Sequence, residues 1–339
     1  MKLKNVDLET ILADKAKEID FSGVVHVENR TGMIHASAHG FSNRSESIPN
    51  TINTRFGIAS GCKLFTAIGI CQLVENGSIA FHSKLSNLLD HSFPHFDGEV
   101  TVHHLLTHSS GIPDYFDEEV MDDFEELWVK NPMYHMKRLE DFLPLFQDQQ
   151  MKFNPGEKFH YNNAGYIVLG LIIEKVAGTP FSDYVEEYIF KPARMQDSGY
   201  FSLDCLPAKT ALGYIDKEDG SWKTNSYSIP IKGGADGGAY VTAGDMAKLW
   251  QSLMNGELVN KEMLTKMTTP WIQTDNGYYG YGIWIEKAED KIVKYHVMGY
   301  DPGVSFASGY YADSEMIVVI PSNKERGPHK LMYLLEDHI

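Results

Sequence analysis

Apolar positions at the start of the chain recur with helical spacing. Leu8, Ile11, Leu12, Ala16 and Ile19 fall on one stripe, which predicts an amphipathic helix over residues 6–19. Two strand-like runs follow, residues 23–28 and 33–39, joined by the turn Asn29-Arg30-Thr31-Gly32. From residue 59 to 205 the pattern is mainly helical, broken by loops rich in Gly, Pro, Asn and Asp. Strand patterning returns over residues 281–286, 292–298, 304–311 and 316–320, and residues 329–335 close the chain as a short amphipathic helix. Thr242-Ala243-Gly244-Asp245 reads as a capping box opening a helix that stops near Asn255-Gly256. The pattern predicts an α/β (α+β) fold: one antiparallel sheet drawn from both ends of the chain, flanked by N- and C-terminal helices, with a helical lobe inserted. The expected division is residues 1–58 with 206–339 as the sheet lobe and 59–205 as the helical lobe. An active site is expected in the cleft between them.

Composition narrows the partners. Of 339 residues, 30 are Lys or Arg and 46 are Asp or Glu, a formal net charge of −16. An acidic surface without a basic run disfavours nucleic acid and anionic membranes. No apolar run approaches the roughly 18 residues of a spanning helix. The first residues alternate charged and apolar, unlike a secretory signal. Three cysteines, Cys62, Cys71 and Cys205, are too few and too scattered for a disulfide framework or a Cys-based zinc site. These features point to a reduced, soluble, cytoplasmic protein. They leave its oligomeric state open.

One helix carries an anomaly. Between Gly57 and Val74 apolar residues cover every face, and Lys63 is the only charge. A helix apolar all round is a buried one, and burying an ammonium costs several kcal/mol unless it is paired or deprotonated. Ser60 lies one turn earlier, on the same face. A serine hydroxyl needs a nearby base to be nucleophilic, and desolvation is what brings a lysine from about 10.4 toward neutrality. The plainer alternative is a serine N-cap with a lysine snorkelling to the surface.

Further blocks along the chain decide between these. Ser60-Gly61-Cys62-Lys63, followed by Leu64-Phe65-Thr66-Ala67, resembles the Ser-x-x-Lys motif of the serine β-lactamase and penicillin-binding protein superfamily. Tyr161-Asn162-Asn163, between Phe153-Asn154-Pro155-Gly156-Glu157 and Gly165-Tyr166-Ile167-Val168-Leu169-Gly170, is similar to its Tyr-x-Asn motif. The stretch 101–113, the glycine-rich stretch 233–240 and Asp301-Pro302-Gly303-Val304-Ser305 fit the branch around class C β-lactamases. That branch also holds D-Ala-D-Ala carboxypeptidases, D-aminopeptidases and β-lactamase-like esterases. The resemblance spans about residues 20 to 325, in order.

The resemblance implies acyl transfer on a small-molecule or peptide substrate and no cofactor, with Ser60 as nucleophile and Lys63 and Tyr161 moving protons. Asn163 would contact substrate or hold Lys63, and the backbone N–H groups of Ser60 and Tyr300 would form an oxyanion hole beside Gly299. The alternative is a penicillin-binding or other ligand-binding protein of the same fold with little or no turnover.

The third motif departs from the pattern. Aligned on Pro302-Gly303, its positions fall on Val297, Met298 and Gly299. His296 is then one residue early, on the opposite face of the strand unless a bulge re-aims it. As the nearest polar side chain, His296 stands as a candidate substrate contact. Val297 at the usual His or Lys position argues against a substrate carboxylate.

Three other patterns fare worse. His104 and His108, at i, i+4 beside His103, lack the Glu of H-E-x-x-H and a third ligand. Gly303-Val304-Ser305-Phe306-Ala307 fails the nucleophile elbow of α/β-hydrolases at its last position. The glycines at 233–238 lack the Lys-Ser/Thr of a phosphate loop and read as a tight loop near the cleft.

Overall fold

A computed structural model of the chain describes residues 7–338. The first helix, α1, spans Leu8–Glu18; residue 6 of the expected helix lies outside the described residues. Asp7 caps it by accepting from Thr10 N at 3.3 Å. Glu9 in its first turn and Lys15 and Lys17 in its last complement the helix dipole. Strands β1 (Gly23–Asn29) and β2 (Gly32–His39) form the expected hairpin, its turn held by Thr31 N donating to Asn29 Oδ1 at 2.8 Å.

Four further helices frame the core: α2 (Lys63–Glu75), α3 (Asn163–Ala177), α4 (Ala243–Met254) and α5 (Pro328–Glu336). Thr242 caps α4 as the sequence predicts, accepting from Asp245 N at 3.1 Å. The later strands are β3 (Ile272–Thr274), β4 (Gly277–Tyr279), β5 (Trp284–Ala288), β6 (Lys291–Asp301), β7 (Val304–Tyr311) and β8 (Met316–Ser322). All eight strands form one antiparallel sheet in the order β2-β1-β8-β7-β6-β5-β4-β3. The N-terminal hairpin thus adds to the C-terminal strand, with Val27 opposite Val318.

The sheet differs from expectation at one edge. Strands β3 and β4 are three residues each, too short to show alternation, and Tyr281 precedes β5 instead of starting it. Tyr281 instead stacks on Trp271 and donates or accepts at His103 Nδ1, 2.9 Å away. Strand β6 runs three residues past the expected end, because a two-residue turn at Pro302-Gly303 pairs Asp301 with Val304. Gly303 sits at φ +70°, where a side chain would be strained.

Each face of the sheet has its own core. Leu12, Ala16, Leu331 and Leu335 of α1 and α5 cover Val25, Val27, Val318 and Ile320 on one face. On the other, α2, α3 and α4 bury Val297, Phe306, Ile317 and Val319, and Trp250 Nε1 donates to Ser308 Oγ at 2.8 Å. Among the described residues no single helix is long and apolar enough to cross a membrane. All three cysteines are free.

Candidate active site

The anomalous lysine is buried, only 3% exposed. Apolar residues surround α2 on every side, as its sequence requires. A short 3-10 turn over Ala59–Cys62 precedes α2, and Ala59 takes φ +45°, uncommon for a residue with a side chain. This turn presents Ser60 at the mouth of the helix while Lys63 opens it. Lys63 Nζ donates to Ser60 Oγ at 2.9 Å, Asn163 Oδ1 at 2.8 Å and the Asp236 carbonyl at 2.7 Å. Three acceptors match the three N–H bonds of an ammonium, so the charge is solvated by protein.

Tyr161 and Asn163 come from the approach to α3. Asn162 takes the capping role, accepting from Gly165 N at 2.7 Å, which frees Asn163 to point at Lys63. Behind them, buried Asp114 accepts from Asn163 N at 2.7 Å and Ala164 N at 2.9 Å; burial pushes its carboxyl up to about 7 against these bonds. The Tyr161 ring lies with its centroid 4.9 Å from Lys63 Nζ. It is sandwiched between His108, at 4.4 Å between centroids, and Trp284, at 6.2 Å. Burial and then the Glu118 carboxylate push its phenol well above 10, and the nearby Ser60 hydroxyl opposes them. The phenol is therefore protonated at rest.

His104 and His108 do not share a helix face. The helix is only Val102–Leu106, and His108 lies beyond it at φ +55°. His104 Nδ1 accepts from Thr101 N in a capping box, and His108 Nδ1 accepts from Asn162 N at 3.0 Å. Among the described residues no group of three or more His, Cys, Asp or Glu could hold a metal ion.

The glycine-rich stretch wraps the start of α2. The Ala235 carbonyl accepts from Thr66 Oγ1 at 2.5 Å, and the next carbonyl, of Asp236, takes Lys63. The Asp236 carboxylate accepts from the buried Tyr115 hydroxyl. Burial raises its pKa, opposed by Lys63 and Tyr115.

The third wall is the end of β6. A Cβ on Gly299 would fall 2.2 Å from the Ile58 carbonyl and 2.8 Å from Ser60 N. Only glycine lets this strand lie against the nucleophile's backbone. Strand β5 pairs with β6 no further than His296, so the edge of residues 297–301 is open to a cavity of about 1480 Å³ reaching Ser60, Tyr161, Asn163 and Asp236.

Alternation then sorts the side chains. Val297 packs into the core beside α2, in the phase of Gly299. The β6–β7 register is unbroken from Lys294 to Asp301, so no bulge re-aims His296 there. His296 shares its face with Lys294, which pairs with Glu336 of α5 at 2.7 Å. The structure therefore turns His296 away from Lys63, although it still lines the cavity that reaches Ser60. It stacks on Trp284 and lies 3.2 Å from Glu286 Oε1, with its pKa pushed down to about 3 by burial and Lys294. The Tyr300 side chain also points away, its hydroxyl 2.5 Å from His329 Nδ1.

A sheet of this order, with a Ser-x-x-Lys turn against its open strand, has clear relatives. The sequence profile of the family described as Beta-lactamase matches residues 8–336. The chain belongs to the Beta-lactamase family. Its backbone superposes on the penicillin-binding protein from Bacillus halodurans with a TM-score of 0.94 and 56% identity, covering 97% of this chain and 100% of that one. It is 30% identical over 327 residues to the putative penicillin-binding protein PbpX of Bacillus subtilis, covering 95% of this chain and 75% of that protein. Esterase EstB of Burkholderia gladioli is 27% identical over 215 residues, 62% of this chain and 54% of the esterase. The chain thus has the fold of the serine hydrolases of the β-lactamase and penicillin-binding protein type.

Four candidates from the sequence, Ser60, Lys63, Tyr161 and Asn163, meet at one point, with the backbone of Gly299 against it. The sequence reading gave no role to His108, Asp114, the Asp236 carbonyl or Asp301. Each acts through a backbone atom, a buried contact or the cavity wall, and residue spacing carries no signal of that kind.

Proposed function

We propose that the protein cleaves an amide, β-lactam or ester through an acyl-enzyme on Ser60. The observation that carries this reading is the Lys63 Nζ contact of 2.9 Å with Ser60 Oγ, inside an otherwise apolar helix. Ser60 Oγ bonds to the carbonyl carbon as its proton passes into the Lys63–Tyr161 pair. The backbone N–H groups of Ser60 and Tyr300 hold the developing oxyanion, and Gly299 provides the close approach. Tyr161, protonated at rest, gives its proton to the leaving nitrogen or oxygen as that bond breaks, and recovers one through Lys63. Water then attacks the acyl carbon, delivers its proton to the same pair, and frees Ser60 as the Oγ–carbon bond breaks. Asn163 holds the Lys63 head group in place.

Intact mass after exposure to a penicillin and, separately, turnover of p-nitrophenyl butyrate test this in wild type and Ser60→Ala. Labelling or turnover that disappears in Ser60→Ala is the expected result. Equal reaction of the variant, or no reaction of the wild type with either reagent, overturns it. A long-lived adduct without ester turnover would instead favour a penicillin-binding protein with little hydrolysis.

A further inference from the structure

This inference rests on the Ser60 acyl-enzyme reading and concerns what the enzyme accepts. Asp301 is two residues along β6 from Gly299 and on the same face, so its side chain enters the cavity beside Ser60. It is half-buried, and among the described residues neither a hydrogen-bond donor nor a salt-bridge partner satisfies its carboxylate. The charges acting on it are those of Asp236, Lys63 and Glu118. Lys63, the cation of this group, already spends its three N–H bonds on Ser60, Asn163 and Asp236. Glu118 stands at the mouth, accepting from Asn163 Nδ2 at 3.3 Å. This part of the cavity therefore holds an unpartnered carboxylate, backed by two more, where Val297 has removed the family's polar side chain. Arg326 also lines the cavity, but it is exposed on the β8–α5 connection, on the side where Tyr300 meets His329.

We infer that the substrate carries an ammonium group on its acyl side, bound by Asp301, and is an amide or ester of an amino acid or short peptide with a free amino group. Two residues of strand span about 7 Å. An amine one carbon from a carbonyl held at Ser60, together with the Asp301 side chain, fits that gap. A carboxylate in the same place would meet three anions.

Titration adds a check. Burial and then Asp236 push the Asp301 carboxyl up to about 7, with Lys63 opposing. Tyr115 and Tyr240 also lie within its field, and both stay neutral because burial raises them. Selectivity for the ammonium is then lost as pH falls through about 7 and Asp301 takes up a proton.

The test compares kcat/KM for one amino acid p-nitroanilide, in both D and L forms, with its N-acetyl and N-succinyl counterparts. It uses wild type, Asp301→Asn and Glu118→Gln, with p-nitrophenyl butyrate run alongside. A charge-assisted hydrogen bond is worth about tenfold or more in kcat/KM. The free amine should lead the N-acetyl substrate by about that factor in wild type, with the ratio falling toward one in Asp301→Asn and part-way in Glu118→Gln. The ratio is read whatever loss both substrates share. If neither anilide turns over, the inhibition constants of the matching amino acid amides against the butyrate ester supply it. Equal rates in wild type, a leading N-succinyl substrate, or an unchanged ratio in Asp301→Asn overturns the inference. Ser60-dependent butyrate turnover without amine preference removes the inference alone, whereas no Ser60-dependent reaction at all removes the acyl-enzyme reading beneath it.

Discussion

The two walls of the cleft treat polar groups in opposite ways. On the helical wall the polar groups hold one another: Lys63 has three acceptors, Asn162 caps α3, Asn163 bridges to Lys63, and Asp114 takes two backbone donors. On the strand wall Val297 is apolar, and among the described residues the backbone edge of residues 297–301 is unpaired and Asp301 has neither a side-chain hydrogen bond nor an ion pair. A fully satisfied network is rigid and holds one geometry, which suits groups that must meet the same atoms in every cycle. An unsatisfied one has free energy to gain from a ligand. On the proposed mechanism α2 and α3 carry the reaction chemistry, and on the inference above β6 carries selection of the substrate.

The largest break falls on the helical wall. Lys63→Ala breaks the pair that takes the Ser60 proton and leaves Asn163 Oδ1 and the Asp236 carbonyl without their donor. Turnover of p-nitrophenyl butyrate should fall by about 10²–10⁴. A loss below tenfold would show that Ser60 is activated elsewhere. Gly299→Ala tests the seam between the walls. Its Cβ would push β6 away from Ser60 N and weaken the oxyanion contact, with an expected loss of about 10²–10³ in kcat and a lowered Tm. Unchanged kcat in the folded variant would remove the Tyr300 N–H from the mechanism.

Smaller effects lie away from the reacting groups. Thr242→Ala, at the cap of α4 on the same face of the sheet as α2, should cost about 1 kcal/mol in chemical denaturation and leave the selectivity ratio alone. His296 should show least of all. With its pKa pushed down to about 3, it stays neutral in the native state from pH 5 to 8, and its ring NMR signals should not titrate there. The unfolded state binds this proton below about 6.5 and the native state does not. His296 thus makes stability decline as pH falls from about 6.5 toward 3. A native titration near 6.5 would place the ring in solvent and bring it back as a substrate contact.

Much of the fold was legible. The alternating runs at both termini gave β1, β2 and β6–β8, and the 3.6-residue stripes gave α1 and α5, because both patterns are local. Strands β3 and β4 were not legible, being three residues each. The histidine pair at 104 and 108 misled for a related reason: spacing implies a shared face only while the helix continues, and it stops at Leu106. For the site, the lone charge between Gly57 and Val74, in a mostly apolar helix, was visible without any structure, since burial makes such a residue improbable unless it is used. Asp301 was only part of a turn sequence, because nothing local says that a carboxylate will face two others across a cleft.

The sequence by itself determined the antiparallel α/β layout, the burial of α2 and the Ser60–Lys63 pair, all consequences of periodicity and of the cost of burying a charge. The tertiary structure alone decided which asparagine caps and which binds Lys63, which side of β6 meets the nucleophile, and which charges lie together around Asp301. Apart from the Asn162 cap, those are contacts between residues more than 40 positions apart, and they depend on how the elements pack, which no local pattern encodes.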